Sequence, residues 1–202
     1  MADVSEVGEA LVEIIAAAAY PNGTGQPSIG ACDIMIYQGW PNPQTIDTDM
    51  AAGKVHISVF PRPGDTITSI MMGDVEWSEA SNNGTTGTST REVRRQNKQF
   101  QITIWAPTPT LRDAIAKQVD LALAVTSRFA LPDDSQAILT YVNATQNDQQ
   151  QKVAIYRRDF FYAANYAIVQ TDAEYAIKQT ITDVTIGLTD TATGPEVTVT
   201  TP

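Results

Sequence analysis

The sequence predicts an α+β domain, a mixed or antiparallel β-sheet packed against an N-terminal helix and a central helix, with a long β-hairpin and an irregular insertion. Three observations predict it. Residues 3–20 and 109–127 carry apolar side chains at helical spacing. Several other stretches alternate apolar and polar residues with the two-residue period of a strand. The two patterns follow one another as helix, strands, helix, strands, without an internal repeat.

In residues 3–20, Asp3 and Glu6 have the spacing of a capping box. Val7, Leu11, Ile14, Ile15 and Ala18 fall on one face, Glu6, Glu9 and Glu13 on another, and Pro21-Asn22-Gly23 stops the helix. Residues 21–54 read as an irregular excursion, punctuated by Gly23, Gly25, Pro27, Gly30, Gly39, Pro41 and Pro43. Inside it, residues 33–40 form a strand and residues 48–52 a helical turn closed by Gly53. Residues 54–60 alternate Val55, Ile57 and Val59 with His56 and Ser58, as a strand does. Pro61-Arg62-Pro63-Gly64 reads as a turn, and residues 66–72 as the next strand. Residues 80–90 are small and polar, a low-complexity loop expected to be mobile. From residue 92 to 105 a strand places Phe100, Ile102 and Ile104 on one side and Gln99, Gln101 and Thr103 on the other, closing a long hairpin over residues 66–105.

The central helix has Thr108 as its cap, Pro109 at its first position and Asp113 near its positive end. Leu111, Ile115, Val119 and Leu123, with Ala114 and Ala122, make its apolar stripe, and Arg128 lies where a helix C-terminus favours a cation. Pro132-Asp133-Asp134 breaks the chain. Residues 137–142 form a strand, 143–151 a polar loop, 153–168 and 174–188 further strands, and 189–202 an extended Thr-rich tail containing Val197 and Val199.

The 202 residues suit one domain, 1–202, with 43% apolar and only 18% charged residues. The net charge of −10 withholds the counterion-release energy that drives nucleic-acid binding, yet an acidic wall lets a polyanion slide past. One cysteine, Cys32, allows no intrachain disulfide, so folding in a reducing cytosol is expected. The first residues lack the basic and apolar regions of a signal peptide, and no apolar run approaches the roughly 18 residues of a membrane span.

Few residue types suited to chemistry are grouped. His56, the only histidine, reads as an exposed strand position, without the partners of a Ser–His–Asp triad. Asp47-Thr48-Asp49 reads as a helix start and Asp133-Asp134 as a turn; neither has the glycine and distal glutamate of a calcium loop. One Cys and one His do not make a zinc site. Gly23, Gly25 and Gly30 follow a helix rather than a strand, which is a turn and not a phosphate loop. A hydrolase would have to use Asp133 or Glu174, to which no separate feature points, so no catalytic, metal or cofactor site is expected. The concentrated feature is cationic: Arg91, Arg94, Arg95 and Lys98 on one strand, and Arg157 with Arg158 on another. They either pair with carboxylates on neighbouring strands or dock to an acidic neighbouring subunit. With Val197 and Val199 of the tail, they are the candidate subunit-interface residues.

The stretch 99–131 opens Gln-Phe-Gln-Ile-Thr-Ile-Trp-Ala-Pro-Thr-Pro-Thr-Leu-Arg-Asp-Ala-Ile-Ala-Lys-Gln-Val-Asp-Leu-Ala-Leu-Ala. This stretch resembles the strand–loop–helix core of tailed-bacteriophage neck and tail-completion (tail terminator-like) proteins, in which a strand ends in Ala-x-Ser/Thr-Pro and a helix opens with Arg-Asp. The matching residues are Trp105-Ala106-Pro107-Thr108-Pro109 and Arg112-Asp113. Residues 155–168, with Arg158-Asp159 followed by Tyr162-Ala163, are similar to a later strand of the same group. The resemblance implies an α+β fold and a structural virion protein without enzymatic activity or cofactor. It implies a homo-oligomeric ring, typically a hexamer, assembled in the host cytoplasm and placed at the head–tail junction. Its partners would be itself, the tail tube protein, neck or connector proteins and the tail sheath, with genome DNA passing through the lumen unbound and no membrane involved. A neck, collar or sheath-capping place at the same junction, or a non-virion assembly accessory role, belongs to the same reading.

Overall fold

The computed structural model describes residues 3–69, 76–79, 86–147 and 155–175. The elements run α1 (Val4–Ala19), β1 (Ile34–Gln38), α2 (Ile46–Ala51), β2 (Val55–Ser69), β3 (Glu76–Glu79), β4 (Thr86–Ala106), α3 (Pro109–Val125), β5 (Arg128–Ala130), β6 (Gln136–Asn147) and β7 (Tyr156–Tyr175). Two compact units share these elements: Met1–Asp74 with Arg91–Gln170, and Val75–Thr90 with Thr171–Pro202.

In the first unit the strand order is β1-β2-β4-β7-β6-β5. β1 lies parallel to β2, while β2–β4, β5–β6 and β6–β7 are antiparallel. The sheet is therefore mixed, and with its helices the fold is α+β, as the alternating periodicities predict. In the second unit β3 pairs antiparallel with residues 87–90 of β4, and Thr90 and Thr171 hydroxyls lie 3.2 Å apart.

The helices form where the sequence places them. The Asp3 side chain accepts from the Val4 N–H, and Glu6 Oε2 accepts from the Asp3 N–H at 2.7 Å, completing the capping box. Thr108 Oγ1 accepts from the Leu111 N–H at 3.3 Å, with Pro109 in the first turn of α3. Val7, Leu11 and Ile15 of α1 and Ile115, Val119 and Leu123 of α3 are buried against one sheet face. That face carries Val55, Ile57 and Val59 of β2, Phe100, Ile102 and Ile104 of β4, and Phe160, Tyr162, Ala164 and Tyr166 of β7. The Tyr162 hydroxyl donates to Asp120 Oδ1 at 2.8 Å, fastening α3 to β7. Ala114, assigned to the buried stripe, is exposed instead, because the Arg112 side chain takes the buried position on that turn.

The opposite sheet face is not solvated throughout. Met50 of α2 packs with Trp105 and Ile155 as a second, smaller cluster, joined by Ile46. The 21–54 excursion thus packs on its own chain from both sides of the sheet, since Ile29 and Cys32 abut the main core.

Several boundaries differ from the sequence reading. Pro61-Arg62-Pro63-Gly64 is a bulge inside β2, not a turn: Pro61 lies opposite Phe100 and Asp65 opposite Lys98, so four steps on β2 answer two on β4. Two prolines without N–H donors and Gly64 at φ +82° suit a bulge as well as a turn. Residues 86–90 of the supposed loop are strand, with 87–90 paired to β3, and residues 143–147 extend β6 opposite β7. Polar Thr and Asn alternation is strand-compatible when a partner strand supplies the hydrogen bonds. Arg128 is a β5 residue rather than a helix-terminal cation, because α3 ends at Val125. Residues 70–75, 80–85, 148–154 and 176–202 lie outside the described residues, and with them most of the 174–188 strand and the whole 189–202 tail.

Candidate functional site

On the sheet face opposite α1 and α3, a polar and aromatic cluster replaces an apolar layer. Asp159, 5% exposed, is its centre. Its Oδ1 accepts from Arg157 Nε at 2.8 Å, Thr103 Oγ1 at 2.6 Å and Gln101 Nε2 at 3.1 Å; its Oδ2 accepts from Thr145 Oγ1 at 3.4 Å. Strand alternation delivers these groups, because Gln101 and Thr103 occupy the β4 face opposite Phe100 and Ile102. The Arg157 guanidinium lies over the Trp105 ring at 4.8 Å and the Trp40 ring at 5.5 Å. Trp105 Nε1 donates to Ser58 Oγ at 3.3 Å, Trp40 packs on Phe60 at 4.3 Å between centroids, and Arg62 sits over Phe161. Trp40 is 56% exposed, so the cluster reaches the surface there.

His56 is corrected from an exposed to a buried position, 2% exposed, because α2 and β1 cover this end of the same face. Tyr37 OH lies 3.0 Å from His56 Nδ1, and Nε2 is 3.4 Å from Asp49 Oδ2 without forming a hydrogen bond. Burial lowers the His56 pKa below its ordinary 6.5, against the partial opposition of Asp49. Tyr37 is pushed up to about 12, by burial first and by the Asp49 charge second. Asp49 also holds Lys54 at 3.0 Å, and that hydrogen bond lowers the carboxyl's pKa. These contacts buttress α2 on the sheet.

The cations separate into different environments. Arg95 makes a two-nitrogen contact with Glu92 at 3.0 and 3.1 Å and donates to Asn165 at 3.2 Å; Arg91 donates to Gln170 at 2.9 Å. Arg94 is exposed, Lys98 is half-buried opposite Asp65, and neither forms an ion pair among the described residues. Arg158 stands 3.9 Å from Asp113 and over the Phe160 ring at 5.1 Å, on the helix side of the sheet. Asp113 is gripped by Arg112, 2% exposed, through Nε at 2.9 Å and a second nitrogen at 3.2 Å, which lowers its pKa. The structure therefore does not gather the six cations into one patch. Val197 and Val199 lie outside the described residues.

Two surfaces were not read from the sequence. An apolar furrow runs between α1 and α3, lined by Ile14, Ala17, Ala18, Leu121, Ala122 and Val125, with Leu121 and Val125 exposed. The other is the outer edge of β6, which among the described residues is paired by β5 over Gln136–Ile138 alone. Asp133, the carboxylate of the hydrolase reading, caps its own turn by accepting from the Ser135 N–H and hydroxyl. Among the described residues no three His, Cys, Asp or Glu side chains are grouped to hold a metal, and no helix is long and apolar enough to cross a membrane.

No protein-family profile and no curated sequence matches the chain. Among solved structures, the chain is similar to the sheath/tube terminator of an extracellular contractile injection system in its extended state. The TM-score is 0.52 at 14% identity, over 96% of this chain and 66% of that one. A chain from the virion of a native gene transfer agent particle aligns over 82% of this chain and 99% of its own, at 15% identity and a TM-score of 0.41. The likeness to the sheath/tube terminator is one of fold.

Proposed function

We propose that the protein is a structural subunit that closes the end of a phage-type tail, forming a homo-oligomeric ring, six-fold in number, at the head–tail junction. The observation that carries this reading is the fold likeness to a sheath/tube terminator over 96% of the chain. That neighbour terminates sheath as well as tube, which favours a place contacting both layers. Two features of the chain support it. Its polar clusters tie elements to one another rather than surround a cleft, as Asp159 and Asp49 do. Its acidic balance, −10, suits a wall past which DNA moves without being held. Arg94 and Lys98 are the cations best placed to meet a neighbouring subunit, and the 189–202 tail is the segment proposed to reach one.

The test is the solution mass by light scattering across a concentration range, with negative-stain images of the same peak. A six-fold annulus with a central hole is expected. A monomer at every concentration that is also absent from finished particles would replace this reading with an assembly accessory role.

A further inference from the structure

The two edges of the sheet in the first unit are treated differently. At β1, the Tyr20 hydroxyl accepts from the Ile34 N–H at 2.9 Å and donates to the Ile34 carbonyl at 3.0 Å. Both outward backbone groups of the first β1 residue are thereby occupied, and β1 is only five residues long. Short strands and side chains laid on the edge are how proteins blunt such edges.

Among the described residues β6 is covered on its outer side only as far as Leu139, and a bulge at Val142 shifts its register against β7 between Tyr141 and Asn143. Leu139 N–H turns toward β5 and donates to Ser127 O at 3.0 Å. By strand alternation Tyr141 turns its N–H and carbonyl to the same side, and β5 has ended by then. Residues 139–145, Leu-Thr-Tyr-Val-Asn-Ala-Thr, contain no charge and no proline, two of the usual guards of an exposed edge. Tyr141 is 52% and Val142 44% exposed. A long, uncharged strand edge of this kind is a template for strand addition.

We infer that the outer edge of β6 accepts an extended strand centred on Val197 and Val199 from the C-terminal tail of a second copy of this chain. After Tyr175, the last residue of β7, the chain continues for 27 residues (202 − 175), with Val197-Thr198-Val199-Thr200 alternating in strand fashion and carrying no charge. The four residues 197–200 are uncharged and follow Glu196, so laid on residues 139–145 they bring no like charges together. A strand over residues 197–200 spans about 13 Å, and the 21 residues between Tyr175 and Val197 (197 − 175 − 1) supply the reach between copies. One tail given and one edge filled per copy is a heterologous contact, the kind that closes rings. The inference rests on the ring reading and names the surfaces that make it.

Two experiments on the full chain test it. In a Cys32→Ser background, differently tagged Thr140→Cys and Thr198→Cys chains are mixed and treated with a short bis-maleimide. A covalent product containing one of each chain is expected. Rings that persist in light scattering without that product overturn this inference and leave the ring reading standing. A chain monomeric throughout overturns both. A link formed within one chain carrying both cysteines, at high dilution, assigns the edge to the chain's own tail and overturns the inference as well. In the second experiment Tyr141→Pro removes the outward N–H while leaving the bonds to β7, and Tyr141→Ala controls for the lost ring. The proline variant is expected to need about tenfold more protein than the alanine variant for half-assembly, the worth of about one backbone hydrogen bond. Equal assembly of the two variants speaks against strand addition.

Discussion

Arg157 and Asp159, two residues apart on β7, are joined at 2.8 Å on the sheet face away from α1 and α3, with the arginine held between that carboxylate and the rings of Trp105 and Trp40. Arg157 is thus committed within its own subunit, although its sequence position beside Arg158 suggested an interface. Removing the carboxylate strands Arg157, Thr103 and Gln101 together. Asp159→Ala is expected to cost about 3 kcal/mol in urea unfolding, since the desolvated partners remain. Asp159→Asn keeps an acceptor and should cost less.

The environments of the cations predict separable phenotypes. Arg94→Glu with Lys98→Gln changes exposed or half-buried groups without an ion pair among the described residues and puts no carboxylate opposite Asp65, so thermal stability should hold while ring formation weakens. Arg157→Glu should lower the melting temperature first, because it places a second carboxylate against Asp159. Light scattering and melting curves on the two variants distinguish assembly from folding. A melting loss in the Arg94/Lys98 pair without an assembly loss would place those residues in the subunit's own framework.

Stability should fall on acidification in two stages. His56 resists protonation when folded, while the unfolded chain takes a proton near pH 6.5, so its contribution is present above pH 6.5 and is lost as pH falls through its lower folded value. Asp49 and Asp113, both held below 3.8 by hydrogen bonds from Lys54 and Arg112, contribute above that pH and lose their contribution below it. The groups facing the imidazole are Tyr37, Asp49, Lys54 and Asp33. Urea midpoints measured from pH 8 to 3 should show both stages, and His56→Asn should abolish only the upper one.

The hydrogen bond from Tyr162 to Asp120 ties the middle of α3 to the sheet. Tyr162→Phe should cost about 1 kcal/mol, and Thr108→Ala a similar amount through loss of the α3 cap. The two sites share no partner, so the double variant should show the sum.

The helices and the core were legible in the sequence because their signals are local. Asp3 and Glu6 cap α1 from within its first turn, and Thr108 with Pro109 starts α3. The apolar face of β2 and β4 followed from alternation at Val55, Ile57, Val59, Phe100, Ile102 and Ile104. What alternation alone did not show is that the other face is also covered. Burial of His56 depends on α2 lying above it, and burial of Thr103 depends on Asp159, 56 residues away in sequence. The Pro61–Gly64 segment carries turn residues, and only its pairing with β4 shows that the strand continues through them. The open β6 edge was hidden for a similar reason, since it is defined by where the partner strand β5 stops.

The two tryptophans beside Arg157 differ in access: Trp105 is 7% exposed and Trp40 56%. Their emission therefore has an internal reference and a surface sensor on one face of one subunit. In a Trp77→Phe background, which removes the third tryptophan, acrylamide should quench Trp40 and spare Trp105. If a neighbouring layer settles on that face during assembly, the quenchable fraction drops, and the chain reports on its own coverage without any attached dye.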